Sequence, residues 1–99
     1  MGRIEDNEKK LDTLNKVVLS LDKHLDDFED VIHEYYELNE YYGSKDWFQD
    51  KEDFESGKIK NVKAGVLSED AVWDLDERIN DLTTRMSGII ELLEKEKDN

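Results

Sequence analysis

The chain has 99 residues, 27 of them acidic against 14 basic, a formal net charge of −13, and no cysteine or proline. Phosphate contacts need clustered Lys and Arg, and anionic membranes attract basic segments, so this balance predicts no nucleic-acid and no membrane partner. Without cysteine there is no disulfide, thiolate nucleophile or Cys-ligated metal, and the lack of such staples and of an apolar leader reads as cytoplasmic.

Residues 3–42 contain neither Pro nor Gly, and their apolar residues keep a heptad. Ile4, Leu11, Val18, Leu25 and Ile32 hold one position, and Leu14, Leu21, Phe28, Tyr35 and Tyr42 the other. Spacings of three and four put both sets on one helical stripe. Gly43 is the expected stop, because glycine takes the left-handed conformation that follows a helix C-terminus.

A connector spans 44–67. Ser44 is placed to cap a short helix carrying Trp47, Phe48 and Phe54, which Gly57 ends. Lys58 to Ala64 is expected to add one helical turn stopped by Gly65, with Ile59, Val62 and Val66 pinning the stretch onto the long helices. From 68 to 96 the heptad returns in Val72, Leu75, Ile79, Leu82, Met86, Ile89 and Leu93. Ser68 is its N-cap residue, and Glu69 and Asp70 suit the positive end of the helix dipole. The expected fold is all-α, a single domain over 1–99. Two long antiparallel helices form a coiled-coil-like hairpin, and the short connector helix makes a three-helix arrangement.

The charge is uneven. Residues 1–25 carry five acidic and five basic side chains, whereas 26–55 carry twelve acidic and two basic, a net −10. The basic trio Lys58, Lys60 and Lys63 follows at once and is expected to neutralise part of that acidic face.

The run Tyr41-Tyr42, then Trp47, Asp50, Asp53 and Gly57, then Lys63-Ala64-Gly65-Val66-Leu67-Ser68-Glu69-Asp70-Ala71 resembles a small bacterial family known as domain of unknown function 4298. The Gly-Val-Leu-Ser-Glu-Asp stretch is the most specific part of the likeness, which covers nearly the whole chain. Ile59-Lys60 stands where the family usually has Leu-Pro. The resemblance implies a bacterial cytoplasmic protein and carries no assigned activity.

Familiar chemistries fail on inspection. His33-Glu34-Tyr35-Tyr36-Glu37 lacks the second His that a zincin helix needs four residues after the first. The acidic stretch from Asp46 to Glu55 lacks the glycine of a calcium loop, since Lys51 stands at its sixth position. Asp26-Asp27 and Glu29-Asp30 would serve acid–base chemistry only in a desolvated cleft. No catalytic, metal or cofactor residue is therefore assigned, and the protein is expected not to be an enzyme.

Two surfaces remain as candidates for interaction. One is the aromatic connector, because Tyr35, Tyr36, Tyr41, Tyr42, Trp47, Phe48 and Phe54 fall within twenty residues. Such a cluster either caps a thin helix pair or presents a binding patch, with Asp50 and Asp53 as polar anchors or connector caps. The other is the start of the first helix. With a tight tip, Tyr42 sits near Glu69, and Ile4, Leu11 and Leu14 extend past the last helix with their stripe uncovered. Water rarely tolerates such a stripe. The expected function is thus a protein–protein interaction or self-association module, with a homodimer as the favoured form. The alternatives are an acidic decoy or scaffold for a basic protein, and a small-ligand binder or enzyme at the aromatic connector.

Overall fold

The computed structural model describes residues 2–97. Three α-helices follow in chain order, α1 (Arg3–Tyr41), α2 (Lys45–Glu55) and α3 (Ala71–Lys97), with one turn of 3-10 helix, Gly65–Leu67, before the last. No strand occurs among the described residues, and none of their helices is long and apolar enough to cross a membrane. At ~1.5 Å per residue, α1 is about 58 Å long and α3 about 40 Å.

Contacts divide the chain into two compact units, one running to Leu38 and the other starting at Asn39. The first unit is most of α1. Its first turn carries Glu5 and Asp6 at the positive end of the helix dipole, and Asn7 Nδ2 donates to the Arg3 carbonyl at 2.7 Å. No residue of this helix is buried. The heptad residues from Ile4 to Leu21 are all at least half exposed, Ile4 at 81% and Leu14 at 61%.

The second unit holds the end of α1, then α2, the 3-10 turn and α3. Gly43 has a positive φ of 79°, and Ser44 N–H returns to the Tyr41 carbonyl at 2.9 Å, which ends α1 one residue earlier than the heptad suggests. Ser44 then caps α2, its Oγ accepting from Trp47 N–H at 3.2 Å. The far end of α2 is a Schellman motif. Gly57, at φ 85°, donates to the Phe54 carbonyl at 3.2 Å, and Lys58 N–H donates to the Asp53 carbonyl at 2.8 Å. The left-handed φ at both glycines is strained for any residue with a Cβ.

Three expectations for the connector are corrected. Lys58 to Ala64 does not form a helical turn, because Asn61 adopts a left-handed φ of 61° that interrupts any right-handed run. Gly65 does not stop a helix there but begins the 3-10 turn, closed by Ser68 N–H on the Gly65 carbonyl at 3.1 Å. Ile59 and Val66 are partly covered, while Val62 lies exposed and pins nothing. Ser68 caps the approach to α3 through its Oγ, which accepts from Ala71 N–H at 3.1 Å. The regular helix follows three residues later than the pattern indicates.

Candidate interaction site

The buried apolar centre of the second unit is small: Trp47 and Val72, at 4% and 3% exposure. The large indole has a polar edge that requires an acceptor once buried. Its Nε1 finds one in the Val66 carbonyl at 2.9 Å. Tyr42 meets the ring edge-on, centroids 5.0 Å apart, and Phe48 does the same at 4.9 Å. Lys51 Nζ lies 5.2 Å from the ring centroid and pairs with Glu69 Oε1 at 3.0 Å. Tyr42 Oη donates to the backbone carbonyl of Glu69. The tight tip expected from the sequence, Tyr42 beside Glu69, is thus present.

Asp50 and Asp53 divide the polar work of α2. Asp50 Oδ2 accepts from Tyr41 Oη at 2.6 Å. That hydrogen bond pushes the Tyr41 phenol up to about 12, helped by partial burial and by the negative charges of Asp50 and Asp46. Asp53 acts as a cap. Its carbonyl accepts from Lys58 N–H, Ile59 N–H and, at 3.2 Å, Ser56 Oγ. Its side chain accepts from Gln49 Nε2 at 3.0 Å and lies 3.9 Å from Lys58 Nζ. An open depression of about 260 Å³ borders this cluster, lined by Lys51, Phe54, Glu55, Ala64, Leu67 and Ser68.

The structure therefore sets Tyr42 against the Trp47 ring, pairs Tyr41 with Asp50 and leaves Asp53 at the α2 terminus, all in the second unit, and places Ile4, Leu11 and Leu14 on the exposed face of α1. Within the connector Trp47 serves as packing, and Phe48, Phe54 and Val62 carry apolar surface that faces water. The Val66 carbonyl is the partner that sequence reasoning missed, whereas Val72, a heptad position of the last helix, is buried as its pattern indicates. A buried tryptophan signals that an acceptor must exist, but not which loop carbonyl supplies it. Among the described residues, no group of three or more His, Cys, Asp or Glu side chains could hold a metal ion.

The family described as domain of unknown function (DUF4298) matches residues 4–89, and the chain belongs to that family. No curated protein and no solved structure matches it.

Proposed function

From the bare stripe of α1, we propose that the protein is a non-enzymatic helical interaction module in which α1 pairs with another protein chain. The observation that carries this reading is the run Ile4, Leu11, Leu14, Val18 and Leu21, every one at least half exposed on one helical face. An isolated helix is marginal in water, and most helical stability comes from covering its apolar face. A second chain laid on that face supplies the cover. Light scattering or sedimentation at micromolar concentration is expected to give about twice the mass of one chain. A monomer throughout, with no partner recovered on capture from the native cell, overturns the reading.

A second reading has its own support. Asp26, Asp27, Asp30, Glu34, Glu37 and Glu40 are exposed along α1 within the segment of net charge −10. Such a surface suits a basic protein partner. That binding weakens steeply as salt rises through a few hundred millimolar, and salt-insensitive binding excludes it. A small-ligand or enzymatic role at the aromatic connector draws the least support, because Trp47 fills the centre of that cluster.

A further inference from the structure

We infer that the chain covering α1 is a second copy of this protein, laid parallel and in register along residues 3–25. The inference rests on α1 being an interaction surface, and adds the occupant, its direction and its register.

The heptad supplies the argument. Ile4, Leu11 and Val18 hold the a positions, and Asn7, Leu14 and Leu21 the d positions. Ile4 and Val18 are β-branched at a and Leu14 and Leu21 stand at d, the combination that sets the strand number of a parallel coiled coil at two. The flanks then decide direction. Arg3, Lys10, Val17 and His24 stand at g, and Glu8, Asn15, Asp22 and Glu29 at e.

In a parallel pair, each g residue meets the next e residue of the other copy. Arg3 faces Glu8, Lys10 faces Asn15, Val17 faces Asp22 and His24 faces Glu29. No like charges meet. In an antiparallel pair covering the same stripe, e meets e and g meets g. With Ile4 set on Leu21 and Leu11 on Leu14, Glu8 then faces Asn15, Arg3 faces His24 and Lys10 faces Val17, so both Arg3–Glu8 ion pairs of the parallel arrangement are lost.

The rest of α1 is compatible with this direction. Asp26, Asp27, Asp30, Glu34 and Glu37 fall at the outer b, c and f positions, away from the seam. A copy of this chain also fits the charge of residues 1–25, whose five acidic and five basic side chains give no net attraction for a strongly charged partner.

The chain contains no cysteine, so Asn7→Cys and Leu21→Cys each introduce a single thiol. Both are d positions away from the middle of the stripe. In register and parallel, each thiol lies beside its own copy, and mild oxidation is expected to link both variants into covalent dimers. In the antiparallel pair, the thiol introduced by Asn7→Cys sits about eleven residues from its counterpart on the other chain, about 16 Å along the axis. That is beyond the ~7 Å between Cα atoms that a disulfide spans. The thiol introduced by Leu21→Cys is further still from its own counterpart.

Glu8→Lys gives an independent readout. It sets an ammonium against Arg3 of the other copy and is expected to weaken dimerisation about fivefold, two symmetric surface pairs being lost. Adding Arg3→Glu restores it. Circular dichroism matching the parent establishes that each variant is folded. A dimer that does not cross-link at either position, or that tightens with Glu8→Lys, overturns the parallel register while the interaction reading stands. A monomeric mass with a captured foreign partner overturns self-pairing alone, and a monomer with none overturns both.

Discussion

Trp47 and Leu14 are both large apolar residues at helical positions, yet one is 4% exposed and the other 61%. The difference lies in what surrounds each helix. Around Trp47 the chain folds back within 25 residues and brings a carbonyl, a tyrosine and a 3-10 turn to the ring. Around Leu14 its own unit supplies one continuous helix and nothing else. The same apolar pattern thus makes a core where the backbone returns and an open seam where it does not.

Trp47→Ala should give the largest effect. It removes a buried indole, two edge-on ring contacts and a hydrogen bond, and is expected to cost about 3–5 kcal/mol. That is a large share of a small domain's stability. In dilute protein, Leu14→Ala should cost under about 1 kcal/mol while abolishing association at higher concentration. Urea titrations followed by circular dichroism at low and high protein concentration separate the two. Equal losses in dilute protein would erase the contrast between core and seam.

Next in size is Gly57→Ala. At φ 85° the added Cβ meets only Lys60 Cε at 3.8 Å, so space is not the obstacle. The strain is in the backbone, about 1–2 kcal/mol for a left-handed residue with a Cβ. A lower urea midpoint with unchanged mass would place the effect in the α2 terminus and leave the seam untouched.

These two positions also show how much is legible in the sequence. The helices, Gly43 and Gly57 as terminators, and Ser44 and Ser68 as capping residues are readable, because each follows from short-range sterics and local hydrogen bonds. The all-helical class follows from periodicity alone. The stretch from Lys58 to Ala64 is not readable in this way. Asn61 is a tolerated rather than an obligatory left-handed residue, so nothing local announces its turn. The pairing of Trp47 with the Val66 carbonyl joins groups 19 residues apart, and the Tyr41–Asp50 bond depends on the angle at which α2 leaves the turn. Those are properties of the closed loop. The bare face at Ile4, Leu11 and Leu14 is visible as a pattern, but the stripe alone does not say what covers it, and the proposed second copy leans on the flanking charges.

A smaller effect belongs to the second unit. The Tyr41 phenol is pushed up from 10.0 to about 12 because its hydroxyl donates a hydrogen bond to the Asp50 carboxylate. A phenol whose pKa is raised by folding contributes stability that is complete below pH 10 and lost as pH rises through 12. The tyrosinate absorbance of the parent, with Tyr41→Phe as the subtraction, should place this group near 12 rather than 10.0. Asp50→Asn should bring it back toward 10.0. An unchanged titration in that variant would mean that the Tyr41–Asp50 bond does not hold in solution.

The smallest expected effect is at Glu69. Its carboxylate pairs with Lys51 at 3.0 Å, but that side chain is 78% exposed, so solvent screens the pair and only about 0.2–1 kcal/mol is at stake. Its backbone carbonyl, which accepts from Tyr42, is untouched by substitution of the side chain. Glu69→Gln should therefore shift the urea midpoint only slightly, and high salt should remove even that difference. A loss comparable to that of Gly57→Ala would show that the ion pair, and the Lys51 ammonium it holds near the Trp47 ring, closes the core. The contrast with the seam would then rest on charge as well as on packing.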